Sequence, residues 1–123
     1  MKLERLDHFG IEVADLARAE RFYTGVLGLR VVNRFGDQVL LDCGGQNLAL
    51  FEVGRPALDP AARQSLIAHP LGRGHHAFKV KASDFADARD RLAAAGVESA
   101  APIDWAITTA STFSIPMAIC SRW

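Results

Sequence analysis

A strand–helix unit occurs twice in this chain, and each copy opens on a histidine. The first copy reads LDHFGIEVADLARAERFYTGVLGL, residues 6–29, and the second GHHAFKVKASDFADARDRLAAAGV, residues 74–97. Each begins with a short run of alternating apolar residues entered at His8 or His75. A polar turn then reaches Asp15 or Asp84, and an amphipathic helix follows. The helix stripe is Leu16, Ala19, Tyr23 and Val26 in one copy, and Phe85, Ala88, Leu92 and Ala95 in the other. Duplication of a supersecondary unit that cannot bury its own apolar face implies that the copies are built into one architecture. A histidine at the matched place in both implies that two imidazoles meet near a pseudo-twofold axis, an arrangement suited to a divalent metal.

The rest of the first copy follows from the same patterning. Residues 6–13 alternate, with His8, Gly10 and Glu12 on one face and Phe9, Ile11 and Val13 on the other, as in a half-buried strand. Asp15 is a natural N-cap for a helix over residues 16–27, and Gly28 a natural stop. Residues 29–33, 39–43 and 48–53 read as three further strands. Phe35-Gly36-Asp37 and Gly44-Gly45-Gln46-Asn47 form the turns between them. The order is β-α-β-β-β. A segment with Pro56, Pro60 and Pro70 around a short helical stretch, residues 60–68, forms the link to the second β-α unit.

At 123 residues the chain is expected to form a single domain, 1–123. Module 1 spans about residues 4–54, the linker about 55–73 and module 2 about 74–123. The formal charge is zero, which removes the electrostatic case for nucleic acid or an acidic membrane surface. No apolar run approaches membrane-spanning length, and residues 1–8, MKLERLDH, contain no signal core. Cys43 and Cys120 are too few and too separated for a disulfide framework. Cys43, at a strand end, reads as inert packing. A cytoplasmic enzyme or binding domain is the expectation.

The stretches LDHFGIEVADLARAERFYTGVLGLRVV, LALFE and GHHAFKV resemble the vicinal oxygen chelate superfamily. That group includes glyoxalase I, extradiol dioxygenases, fosfomycin-resistance thiol transferases and bleomycin-binding proteins. The resemblance covers residue 6 to about residue 105, and the segment from His8 to Leu29 is its most specific part. It implies an α+β fold in which paired β-α-β-β-β modules form a cup-shaped mixed sheet around one divalent metal (Fe, Mn, Zn or Ni). It carries the metal-ligand role to His8 and to His75. His75 is taken over His76 because the family's ligand precedes x-Ala-Phe, here Ala77-Phe78; by alternation His75 also shares a face with Ala77. His76 reads as a partly exposed strand residue and His69, before Pro70, as a loop residue. The glyoxalase branch places a metal-binding glutamate on the strand LALFE. Its place falls nearer Leu50 here, which leaves Glu52 as a candidate ligand or general base. The resemblance further implies a small-molecule ligand and a homodimer.

The closing strand pair of the family reads roughly Y-F-x-D-P-D-G-N-x-x-E, and its last glutamate completes the metal site. This chain instead ends AITTASTFSIPMAICSRW, with no acidic residue after Asp104. The genetic code supplies a specific reason. Permissible codons for Ser114 to Ile119, read one frame away, give Asp-Pro-Asp-Gly-Asn. The Gly is forced by the last base of the Met117 codon and the first two of the Ala118 codon. Cys120 to Trp123 continue as Leu-Leu-Glu-Val, and the segment from Ile107 permits Asp-His-His-Arg-Ile-Tyr. Loss of one base in a run of G after the Trp105 codon accounts for the whole tail. Two neutral imidazoles without that carboxylate make a weak and incomplete site. The expected function is therefore that of a superfamily protein whose ancestral metal-dependent chemistry is impaired, with divalent metal bound poorly or not at all in this chain. The alternative is a metal-free small-molecule binder of the bleomycin-resistance kind. Residues 111–115 remain β-prone and suited to a strand slot, and Pro116 confines the tail to an edge or divides it.

Overall fold

The computed structural model describes residues 1–54, 56, 58–69, 76–98 and 112–115. It divides into two compact units, Met1–Ala57 and Leu58–Arg122.

The first unit has the order β1 (His8–Val13), α1 (Leu16–Arg21), a π-helical turn (Phe22–Val26), β2 (Arg30–Phe35), β3 (Gln38–Asp42) and β4 (Asn47–Glu52). The strands form a mixed sheet in the order β1-β4-β3-β2. β2, β3 and β4 form an antiparallel meander. β1 lies parallel to β4, with His8 opposite Asn47 and Val13 opposite Glu52. A parallel neighbour cannot be reached by a hairpin, so the helix serves as the crossover that brings the chain back onto the sheet. This is the β-α-β-β-β unit expected from the sequence.

Burial follows the alternation. Ile11 and Val13 on β1, Val39 and Leu41 on β3, and Leu48 and Leu50 on β4 are all buried. The register aligns them in cross-strand rows, Ile11–Leu50–Val39 and Phe9–Leu48–Leu41. Ala19, Phe22 and Tyr23 are the buried residues of the helical segment, and α1 packs on β3 and β4.

The helix differs from the expected single element over 16–27. It is α-helical only to Arg21 and then widens into the π-turn, with Leu27 N–H donating to the Phe22 carbonyl at 3.3 Å. Phe22 and Tyr23 are consecutive in sequence, yet each is about 1% exposed. In an α-helix adjacent side chains diverge by about 100°, and a π-turn reduces that angle. The wider turn therefore lets both rings reach the core, where they pack edge-to-face with centroids 5.3 Å apart. Asp15 caps the start, accepting from the Arg18 N–H at 2.8 Å. Gly28 ends the element at φ +74°, a conformation that favours glycine.

The second unit contains α2 (Pro60–Ala68), β5 (His76–Lys79), a 3₁₀ turn (Ala82–Asp84), α3 (Phe85–Ala94) and β6 (Thr112–Ile115). Asp59 caps α2 through the Ala62 N–H at 2.8 Å, with Pro60 at the first helical position. β5 and β6 pair antiparallel, Phe78 opposite Phe113. The β-prone part of the unusual tail thus occupies a strand position. Asp84 does not cap α3 with its side chain as Asp15 caps α1; it accepts from the Ser83 hydroxyl at 2.7 Å instead. The 3₁₀ turn brings the backbone into α3 already coiled, so the geometry of an extended N-cap never arises. Leu92 and Val97 are the buried residues around α3.

Leu48 is fully buried in the sheet's central rows, so Leu48→Ala is expected to destabilise the chain by about 2–5 kcal/mol. Asp15→Ala is expected to cost about 1 kcal/mol through loss of the cap alone. Urea denaturation of the two variants checks that order.

Candidate functional site

The parallel register of β1 and β4 sorts the candidate residues between two faces of the first sheet. Phe9, Ile11 and Val13 face the helix, and their partners Leu48, Leu50 and Glu52 share that side. His8, Gly10 and Glu12 face the other way with Asn47, Ala49 and Phe51. On β3 the same face continues through Asp42, Leu40 and Gln38, opposite Asn47, Ala49 and Phe51 respectively. His8 thus heads a polar cross-strand row, His8–Asn47–Asp42–Arg30. Behind it the face is apolar at Gly10, Ala49 and Leu40.

His8 is exposed, and its Nδ1 lies 3.0 Å from Asp7 Oδ2. If Nδ1 carries the ring proton toward this carboxylate, Nε2 is left with its lone pair outward, the arrangement usual for an imidazole that binds a metal or a substrate proton. Glu52 is exposed at the far end of β4, on the opposite face from His8. The structure does not bring those two together. Glu12 does share the face of His8, but four residues along one strand separate their Cα atoms by about 13 Å. That exceeds the reach of one shared cation. His75 lies outside the described residues, as does the tail beyond Ile115. Its neighbour His76 opens β5 and is half-buried with Phe78, while Ala77, across the strand, is exposed. His69 closes α2, its Nδ1 3.0 Å from the Ser65 carbonyl. Among the described residues no three His, Cys, Asp or Glu side chains are grouped to hold a metal.

The row's far end is electrostatically settled. The Arg30 guanidinium donates to Asp42. That hydrogen bond holds the Asp42 carboxyl below its ordinary pKa; burial opposes it, and the cation's charge and the Gly44 and Gly45 N–H groups assist. Burial, with the Asp42 charge beside it, pushes the Cys43 thiol upward, away from the thiolate form. This agrees with a packing role. On the helix-packed side, Arg34 donates to Glu20 at 2.6 Å and its pKa is raised by that bond.

Asp7 and Asn47 had no signal in the sequence. Asp7 is an ordinary polar residue until the strand begins beside it. Asn47 meets His8 only through pairing between strands 39 positions apart.

The family described as Glyoxalase/Bleomycin resistance protein/Dioxygenase superfamily matches residues 5–113. Among solved structures, the chain is similar to an integron cassette protein from the mobile metagenome of the Halifax Harbour sewage outfall. The TM-score is 0.68 at 16% identity, covering 95% of this chain and 93% of that one. The fosfomycin resistance protein FosX from Mesorhizobium loti matches with a TM-score of 0.66 at 21% identity, over 96% of this chain and 87% of that one. Lactoylglutathione lyase from Agrobacterium tumefaciens matches at 0.62 and 24% identity, over 85% and 80%. At these identities the likeness is one of fold, and it agrees with the α+β fold that the resemblance implied. No helix among the described residues is long and apolar enough to cross a membrane.

Removing the Arg30 partner is expected to raise the Asp42 midpoint toward the ordinary carboxylate value. Because the folded pKa lies below the unfolded one, the pair's stabilisation is present above the unfolded pKa and is lost as pH falls through the folded one. Carboxyl-carbon NMR titration of Arg30→Ala against the parent checks this; an unmoved Asp42 midpoint would refute it.

Proposed function

The chain belongs to the glyoxalase/bleomycin resistance protein/dioxygenase superfamily, and from that membership we propose that it descends from divalent-metal-dependent enzymes acting on small oxygen-chelating substrates. We further propose that this form is impaired, because residues 106–123 are read out of frame and the closing glutamate is lost. The observation that carries the reading is the separation of His8 from Glu52 on opposite faces of the first sheet. With His75, carried over by resemblance, the family pattern supplies two imidazoles, while its candidate carboxylate Glu52 lies on the face opposite His8. The described donors do not fit a divalent cation as they stand, so no reaction step is derived through one. A carboxylate contributes both charge and geometry to such a site. Its loss weakens metal binding by orders of magnitude.

The alternative, metal-free binding of a small molecule, draws support from the apolar middle of the face that carries His8. Both readings place the ligand on that face. They differ in whether metal is required.

Elemental analysis after dialysis is expected to find well under one zinc, iron or manganese per chain. Inserting one base after the Trp105 codon is expected to restore about one metal per chain, and His8→Ala in the repaired chain to remove it again. Tight stoichiometric metal on the unrepaired chain, held through His8, His75 and a protein carboxylate, would overturn the proposal. Glu52 would then be the residue to mutate.

A homodimer also belongs to this reading. β2 is the last strand of its sheet and leaves Val32 and Phe35 more than half exposed. An outer strand with exposed apolar side chains is stabilised by being covered. Light scattering is expected to give twice the chain mass, and a purely monomeric species at working concentration would count against it.

A further inference from the structure

Among the described residues β2 is paired on one side only, with β3, and its other side is a free sheet edge. Such an edge is a template on which a strand of a second copy can add. Two features of β2 blunt it.

The first is a bulge. Val31 lies opposite Leu41 and Asn33 opposite Leu40, so Val32 is an extra residue with no opposite number on β3. The bulge also changes which faces the flanking residues take. Arg30 and Arg34 are four apart and would share a face on a regular strand. Here Arg30 meets Asp42 on the His8 face, while Arg34 meets Glu20 on the helix-packed side. The outer strand is therefore held from both faces, with the irregularity at Val32 between the two attachments.

The second is a side chain. Phe35 and Gln38 flank the two-residue turn Gly36-Asp37, and the pair that flanks such a turn exchanges both backbone hydrogen bonds. Pairs alternate along an antiparallel ladder. The next one, Arg34 opposite Val39, is thus of the non-hydrogen-bonded kind, and the Arg34 N–H points to the free edge. There it donates to Asn33 Oδ1 at 2.8 Å. The donor that an added strand would use is already taken, by the side chain of the residue beside it.

We propose that Asn33 and the Val32 bulge together guard the outer edge of β2 against addition of a strand from a second copy. An incoming strand has to displace the Asn33 carbonyl oxygen and bridge the bulge before it can pair. Where the homodimer reading holds, the dimer accordingly does not continue the sheet through β2. Val32 and Phe35 remain exposed beside an edge whose backbone is closed to pairing.

Asn33→Ala removes the acceptor without adding apolar bulk, at an exposed position that the fold does not depend on. At a dilution where neither chain associates, the Arg34 amide is expected to exchange with deuterium several-fold faster in the variant than in the parent, read by NMR. On concentration, light scattering is expected to show species larger than the parent's, with a midpoint for their formation about tenfold below the parent's. Asn33→Asp, whose carboxylate can also accept, is expected to keep the parent's behaviour. An Arg34 amide that exchanges alike in the parent and in Asn33→Ala, or Asn33→Ala chains that associate no further than the parent, would overturn the proposal. The mass of the parent reports on the homodimer alone, so a monomeric parent removes that reading and leaves the guard standing.

Discussion

Parallel pairing of β1 with β4 is the constraint on which the first unit depends. The two strands are separated in sequence by a helix and a hairpin, and they can lie side by side only if the helix crosses the sheet and packs on it. The helical segment brings Ala19, Phe22 and Tyr23 to this packing and the sheet brings Ile11, Leu41, Leu48 and Leu50, all nearly or fully removed from solvent. The same pairing sets the chemistry. Because period-two alternation runs in register across both strands, one choice of register puts His8 with Asn47 and Phe51, and Glu52 with Val13. A slip of β4 by one residue would exchange Asn47, Phe51 and Glu52 between the faces.

The π-turn and Gly28 show how local backbone serves this packing. Two adjacent side chains on a regular helix diverge by about 100°. Widening the final turn accommodates both, and a left-handed glycine then redirects the chain into β2. Gly10 serves a different end. An added Cβ there would stand 2.9 Å from Cε2 of Phe51, on the face away from the helix.

The two ion pairs flank the sheet on opposite faces. Arg30 is taken up by Asp42, and on the other side Arg34 is taken up by Glu20. With these cations already partnered, the pairs offer little net charge to attract an anion. Such exposed pairs add little to stability, and their role here is to settle charge next to the sheet.

By itself the sequence determined the β-α-β-β-β order, the Asp15 cap, the Gly28 stop, the α2 segment at 60–68 and the strand character of 112–115. Each of these rests on local chemistry: alternation, capping oxygens, glycine freedom or proline placement. It also sorted His8 from Phe9, Ile11 and Val13, because alternation within a strand is a local property. The tertiary structure alone decided that Glu52 and His8 occupy opposite faces, that Asn47 and Asp42 extend the row of His8, and that Phe51 rests on Gly10. These depend on register between strands far apart in the chain, which no pattern within either strand specifies. The shortening of α1 escaped the sequence for a related reason. The apolar stripe continues through Val26, and only the demand of two rings for one core shows where the helix must widen.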